Sequence, residues 1–469
     1  MAMKKFFLVL PAKALAAAGC LLLVAGLSAQ TASQRLQKAF QKFESDSQLK
    51  HAISSLYVID AKTGEVVFDK NSQVGLAGAS TQKIITAATA FELLGKDFRY
   101  KTEFGTGSDP EKSVALWIKP SGDPTFGSWR WEATKEENVI KTVVNEIKKE
   151  NSRIQHESVM IDAAGWSSQN IPDGWIWQDI GNYYGAGSDF FNWRENQYDL
   201  FLKSGSKVGD EVSIAGTSPE LYTIRLYSEV RSAVKGSGDN AYIYLPDDGY
   251  VGIVRGTIPV DEDSFRISGS IPNPMKQFLR TLEDSLAPRS YWKSNFVLTL
   301  FKRMLRSPTI FYTHYSPSLD SIIYWFLKKS VNLYGEALLK TFSYEKQGFG
   351  STDSGLVLVK KFWKEKGLDD DELNLYDGSG LSPLNRITTH AQVEVLKYAK
   401  SKDWFQYFYD ALPEFNGMKM KSGTIADVKG FCGYQKSKDG KEYIFSFIVN
   451  NYSGSGISSK IYKVLDELK

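Results

Sequence analysis

Cysteine is nearly missing from this chain. Two occur in 469 residues, Cys20 and Cys432, and the first lies in an N-terminal apolar run. A chain left with Cys432 alone cannot close an internal disulfide, whatever its compartment. Histidine is scarce too, with four copies. No H-E-x-x-H or paired Cys-x-x-Cys is present, so the common zinc patterns are absent, and neither a metal nor a cofactor is expected. Charge of one sign is also lacking. The net charge of +3 is carried by Lys4, Lys5 and Lys13, and the chain beyond residue 29 is neutral. Nucleic acid is therefore not an expected partner. There is no internal repeat and no low-complexity tract.

What is present is ordinary for a globular protein. Hydrophobic residues make up 42% and charged residues 24%, which argues against disorder. The length suggests two to three domains. Aromatic residues reach 13%, enough for well-filled β cores or a ring-lined cleft. Residues 1–29 read as a processing signal: Lys4 and Lys5, an apolar run from Ala14 to Leu27, then small residues before Gln30. Ala17-Ala18-Gly19-Cys20 loosely resembles a lipoprotein signal. Apolar residues continue from Leu21 to Val24, however, which places Cys20 inside the apolar run. Export with cleavage near Ala29 is the expected outcome, to a periplasmic or wall-facing location, with membrane association left open.

Residues 33–45 have the pattern of an amphipathic helix. Residues 55–60 and 65–69 alternate as two strands around the turn Lys62-Thr63-Gly64, a β-hairpin. A buried helix follows from Ser80 and stops at Gly95. From about 100 to 308, short alternating runs such as 114–118 and 242–245 dominate. One helical stretch, 139–150, interrupts them. This is a mainly β insertion, large enough for two subdomains. Helical periodicity returns from 318, through 333–342, 355–366 and 389–400. Strands are expected at 431–435 and 443–449, and a closing helix at 457–468. The expected architecture is α+β: a discontinuous unit of 30–99 and 309–469, whose sheet draws strands from both chain ends, interrupted by 100–308.

Ser80-Thr81-Gln82-Lys83 opens the buried helix. Residues three apart share a helix face, so the Lys83 amine can reach the Ser80 hydroxyl. A serine becomes a nucleophile when a neighbouring base takes its proton. Ser-x-x-Lys occurs six times, starting at Ser47, Ser80, Ser204, Ser232, Ser290 and Ser343. Only the Ser80 copy begins an apolar helix able to bury the pair. An acyl-serine site also needs a proton relay and oxyanion donors, and a docking cation if the substrate is an anion. Ser-x-Asn occurs at Ser168 and at Ser330. Residues two apart on a regular helix point in opposing directions, so the motif belongs at a helix break, as at Ser330-Val331-Asn332. Lys-[Thr/Ser]-Gly occurs at Lys62, Lys203 and Lys421. The first is the hairpin turn and the second a turn in the insertion. Lys421-Ser422-Gly423-Thr424 lies in the terminal β region, where edge amides can pair with an extended peptide.

Ser80-x-x-Lys83, Ser330-x-Asn332 and Lys421-Ser422-Gly423, in that order, resemble the penicillin-binding protein and serine β-lactamase group. Ala79-Ser80-Thr81-Gln82-Lys83, the large insertion after the first helix and Asp377-Gly378-Ser379-Gly380-Leu381-Ser382 narrow the resemblance. They are similar to the D-alanyl-D-alanine carboxypeptidase/endopeptidase family, peptidase family S13. Gly122-Asp123-Pro124-Thr125 and Tyr184-Gly185-Ala186-Gly187 resemble it too. The resemblance implies a transpeptidase-like domain and a serine D,D-peptidase acting on peptidoglycan stem peptides and inhibited by β-lactams. It implies Ser80 as nucleophile, Lys83 as general base and Ser330 as relay to the leaving amine. Asn332 would bond the substrate backbone and fix Lys83. Lys421, with Ser422 and Thr424, would hold a terminal carboxylate. The backbone N–H groups of Ser80 and Thr424 would stabilise the oxyanion. Ser422 stands where that family usually has threonine. Two other readings compete: a β-lactamase or esterase on the same fold, and a non-catalytic wall-binding protein. Asp377–Ser382 reads either as a rim of the cleft or as a structural glycine turn. Trp129, Trp131, Trp166, Trp175, Trp177 and Trp193 read as core packing more readily than as glycan contacts.

Overall fold

The computed structural model describes residues 30–108, 114–150, 158–246, 249–286, 295–299 and 308–469. The N-terminal signal, Cys20 and Ser290 lie outside the described residues. An antiparallel sheet joins the two ends of the chain. Its order is Glu414–Phe415, Met418–Ile425, Val428–Lys436, Glu442–Asn450, Ile53–Asp60 and Val66–Lys70. Successive strand residues face opposite sides, and here both sides are covered. Leu56 and Val58 pack with Leu36, Phe40, Ile461 and Val464, from the terminal helices Ala32–Glu44 and Ile457–Leu465. Tyr57 and Ile59 face the other way, into a core with Ile84, Ile85, Phe326, Leu338 and Leu396. Each fully buried side chain of this kind contributes roughly 1.5–3 kcal/mol.

The expected hairpin, helices and terminal strands form within a few residues of their sequence positions. The first helix is set by a capping box, Thr31 with Gln34, which satisfies two end N–H groups at once. The helices on the second face are Lys83–Leu94, Leu319–Lys328, Asn332–Gln347, Thr352–Glu365 and Thr389–Lys400. Gly95 ends the first of them at φ 82°, a conformation glycine adopts freely.

The insertion is mainly β among the described residues, with more helix than the sequence suggested. Its first part is a mixed five-stranded sheet in the order Asn295–Thr299, Ser158–Asp162, Val114–Lys119, Lys101–Ser108 and Thr309–Tyr315. Two helices, Glu136–Lys149 and Pro274–Leu286, share its core through Val139, Val143, Phe278 and Leu282. The second helix was not anticipated. The expected boundary at 308 falls one strand early, because Thr309–Tyr315 pairs antiparallel with Lys101–Ser108. A pairing over that sequence distance leaves no periodic trace. The second part has its own core, with Leu200, Leu202, Ile243 and Val254. It lies between the strands Phe265–Ser270, Gln197–Lys203 and Ser213–Ser218 and a sheet of Asn240–Tyr244, Val251–Pro259, Arg225–Ser228 and Arg231–Ala233. Of the tryptophans, Trp166, Trp175 and Trp193 are buried, while Trp129 and Trp177 are exposed. No helix among the described residues is long and apolar enough to cross a membrane.

Candidate active site

Ser80 lies on a 3₁₀ turn, Ala79–Gln82, and Lys83 is the first residue of the α-helix that continues it. In a 3₁₀ turn, side chains three apart eclipse one another. Lys83 Nζ is accordingly 2.9 Å from Ser80 Oγ. Ala79 enters the turn at φ 47°, a strained left-handed conformation for a residue with a Cβ. Its surroundings fix the turn. Thr81 Oγ1 donates to Gly78 O at 2.6 Å and accepts from Gln392 Nε2 at 2.8 Å. Ser446, on the central sheet, donates to the Gln392 side chain.

Ser330 occupies the break between the helices Leu319–Lys328 and Asn332–Gln347, at φ 59°. Asn332 begins the second of these. The break turns Ser330 Oγ to Lys421 Nζ, 3.0 Å away, and Asn332 Oδ1 to Lys83 Nζ, 2.6 Å away. Lys421 also donates to Ser422 O at 2.8 Å. The strand carrying Lys421 approaches the Ser80 turn backbone to backbone. A Cβ on Gly423 would lie 2.4 Å from Gly78 O and 2.9 Å from Ser80 N. Only glycine fits there. Ser80, Ser330, Asn332, Gly380 and Thr424 border one cavity of about 600 Å³, together with Arg130, Asp179, Tyr184 and Tyr242. The Thr424 hydroxyl accepts from Lys429 Nζ at 2.7 Å. The other sequence copies stay apart. Lys62-Thr63-Gly64 is the hairpin turn, folded on the Asp60 carboxylate, and Lys203 pairs with Asp263 on the insertion.

Three features around Lys83 and Asn332 were missed or undecided in the sequence. Ser379 O accepts the third contact of Lys83 at 2.6 Å. This places the Asp377–Ser382 segment against the amine itself. The segment is held by the buried Asp377 carboxylate, which accepts from Gly380 N, Ser382 N, Asn385 Nδ2 and Trp175 Nε1. Trp175 is thus a brace from the insertion. Tyr184 O, also from the insertion, accepts from Asn332 Nδ2 at 2.7 Å. Glu336, one turn beyond Asn332, is fully buried and accepts from Gly378 N at 3.0 Å. Burial, and then the nearby Asp377, push its carboxyl up to about 8.

Burial holds the Lys83 amine well below its usual range, and the Lys421 charge adds to the effect. Burial also lowers Lys421, to about 7. A neutral lysine has two N–H groups and one lone pair. Asn332 Oδ1 and Ser379 O are acceptors only, so in the neutral form they take both N–H groups and leave the lone pair to Ser80 Oγ, the arrangement of a base beside a nucleophile.

A profile of the D-Ala-D-Ala carboxypeptidase 3 (S13) family matches residues 36–414. The chain belongs to the S13 family. It is a serine-type D-Ala-D-Ala carboxypeptidase, as the three motifs lead one to expect. The S13 match ends before the strand that carries Lys421. The chain is 26% identical over 439 residues to a D-alanyl-D-alanine carboxypeptidase of Actinomadura sp. (strain R39), covering 87% of this chain and 80% of that one. It is 22% identical to D-alanyl-D-alanine carboxypeptidase DacB of Haemophilus influenzae, covering 84% and 85%. The crystal structure of penicillin binding protein 4 (dacB) from Haemophilus influenzae superposes with a TM-score of 0.75, 18% identity, and coverage of 92% of this chain and 97% of that one. At that identity the likeness establishes the α+β fold.

Proposed function

We propose that Ser80 is acylated by the carbonyl of the penultimate D-alanine of peptidoglycan stem peptides. The observation that carries this is the buried Lys83 amine, 2.9 Å from Ser80 Oγ and held there by Asn332 Oδ1 and Ser379 O. Ser80 Oγ attacks the carbonyl carbon while its proton moves to Lys83 Nζ. The N–H groups of Ser80 and Thr424 take the negative charge on the carbonyl oxygen. The C–N bond then breaks. The leaving amine gains a proton through Ser330, which bridges to Lys421. Water hydrolyses the ester by the reverse proton path. Lys421, Ser422 and Thr424 hold the substrate's terminal carboxylate, and Gly423 sets their distance from Ser80.

The leaving amine belongs either to a terminal D-alanine or to a cross-link, so carboxypeptidase and endopeptidase reactions share this path. A β-lactam carbonyl is attacked in the same way, and its leaving amine stays tethered, which favours a lasting adduct. The substrate places the protein outside the cytoplasmic membrane, in accord with residues 1–29 acting as an export signal. Two measurements test the assignment: labelling by a fluorescent penicillin, and mass spectrometry of products from purified peptidoglycan. Wild type should label and release D-alanine, and Ser80→Ala should do neither. Equal labelling of both proteins sinks the assignment, and rapid lactam turnover would mark a β-lactamase.

A further inference from the structure

The smaller β part of the insertion has one face in its core and the other bare. Ala241, Ile243 and Val254 point inward. Strand alternation then turns Tyr242, Tyr244, Ile253 and Arg255 outward. The register sets Tyr242 opposite Arg255, and Tyr244, Ile253 and Tyr227 in one row across three strands. Tyr227 is 57% exposed and Trp177 is 55% exposed. Trp177 comes from outside the sheet and meets Tyr244 edge-on at 5.0 Å. Its indole N–H is fixed on Leu245 O at 2.8 Å. The Arg255 guanidinium lies 5.2 Å from the Tyr244 ring and 6.0 Å from the Trp177 ring. Its Nε donates to Glu229 Oε2 at 2.8 Å. Rings aligned on one face, with Tyr227 and Trp177 more than half exposed and Trp177 and Tyr244 pinned by a hydrogen bond and cation–π contacts, mark a binding surface.

This face starts where the active-site cavity ends. Tyr242 lines that cavity, as do Ile176 and Gln178 on either side of Trp177, and Tyr183. Tyr184, next in the chain, accepts from the Asn332 side chain. A ligand leaving the cavity past Tyr183 and Tyr242 arrives on Trp177 and Tyr244.

We infer that this face docks the glycan strand from which the stem peptide hangs, an alternating polymer of N-acetylated hexosamines. The inference rests on the peptidoglycan reading of Ser80. A pyranose ring has an apolar C–H face and a polar rim. The faces of Trp177, Tyr244 and Tyr227 match the first, and Arg255, Glu229 and Gln178 match hydroxyl and acetamido groups on the second. Arg255 and Glu229 neutralise each other, which suits an uncharged sugar rim and not a polyanion, which needs unpaired cations. The peptide end bound at Ser80 and the glycan bound here belong to one molecule, so each contact raises the effective concentration of the other.

The test uses the full mature chain, with uncharged oligomers of N-acetylglucosamine as the glycan binding probe. Its substrates are a free pentapeptide and the same pentapeptide on a glycan tetrasaccharide. In the double variant Tyr227→Ala/Tyr244→Ala, glycan binding should weaken at least about tenfold, as lost ring contacts predict. The preference for the glycan-linked substrate should fall by the same factor, with kcat/KM on free pentapeptide kept. Tyr227→Phe/Tyr244→Phe keeps the rings and should retain binding. Acylation of Ser80 by penicillin reports that each variant is folded. Undetectable glycan binding by wild type, or a loss equal on both substrates, overturns the inference. If wild type instead binds glycan but is not acylated, the Ser80 reading fails and the glycan face stands.

Discussion

Lys83 is buried against the start of the helix Asn332–Gln347, through Asn332, and Lys340 is buried on that helix itself, where it meets the insertion. Lys340 donates to Ser188 O at 2.6 Å and to Gln169 O, both on insertion loops. Burial lowers it to about 8, with Asp189 and Glu336 opposing the shift. It therefore remains largely charged near neutral pH. Lys83 is equally buried, and there the Lys421 charge adds to the lowering by burial while Asp377 and Glu336 oppose it. One amine faces the Ser80 hydroxyl, the geometry proposed for a base. The other faces carbonyls beside a carboxylate and becomes a clamp. Burial alone does not make a lysine reactive. The charges around it decide which form it takes.

The contrast can be broken at four places. Lys83→Met should slow penicillin acylation and D-alanine release by about 10²–10⁴-fold, the usual worth of a positioned base. The melting temperature should hold or rise, since a buried amine is replaced by an apolar chain of similar volume. Acylation within about tenfold of wild type would remove Lys83 as the base. Gly423→Ala forces a Cβ to within 2.4 Å of Gly78 O, so the strand must retreat from the oxyanion site. Stopped-flow acylation should slow by about 10²-fold, and an unchanged rate would show that the strand tolerates the shift.

Lys340→Met should reverse the first pattern. Two carbonyls lose their donor and Asp189 loses its cation, a loss of about 2–4 kcal/mol in chemical denaturation. Acylation per folded molecule should persist, and a collapse of acylation without loss of stability would make Lys340 part of the chemistry. The smallest effect is expected from Glu336→Gln, read as acylation against pH. Glu336 ionises through about pH 8, and its anion favours the protonated form of Lys83. The amide removes that anion, so the rise of acylation with pH should come at lower pH in Glu336→Gln than in wild type. Lys421, at about 7, titrates in both proteins and leaves its own limb in place. Coincident rises in the two proteins would leave Glu336 without influence on the base.

Much of the central unit was legible in one dimension. The amphipathic first helix, the hairpin, the Ser80 helix and the last two long strands follow from period and punctuation. The choice of Ser80 over five other Ser-x-x-Lys copies rested on the apolar helix behind it. The same reasoning placed Ser330 at a helix break, and the left-handed Ser330 is that break. The helix Pro274–Leu286 and the strand Thr309–Tyr315 were less readable. Each lies in or beside a segment without a clean period, and the strand is defined by a partner some 200 positions earlier in the chain. Glu336 looked like one more polar residue in a helix, and Asp377 like a turn residue. Nothing local marks a carboxyl that will be sealed behind a lysine.

The residue types, their order and the helix under Ser80 thus belong to the primary structure, which suffices for an acyl-serine enzyme of α+β architecture. The state of the Lys83 amine does not. It depends on Asn332 arriving from 249 positions away and Ser379 from 296, and on burial of Lys421 nearby. Proton affinity is set by solvation and by charges within a few ångströms. Those distances exist only once the sheet has joined the two ends of the chain and the insertion has closed over Asn332 through Tyr184.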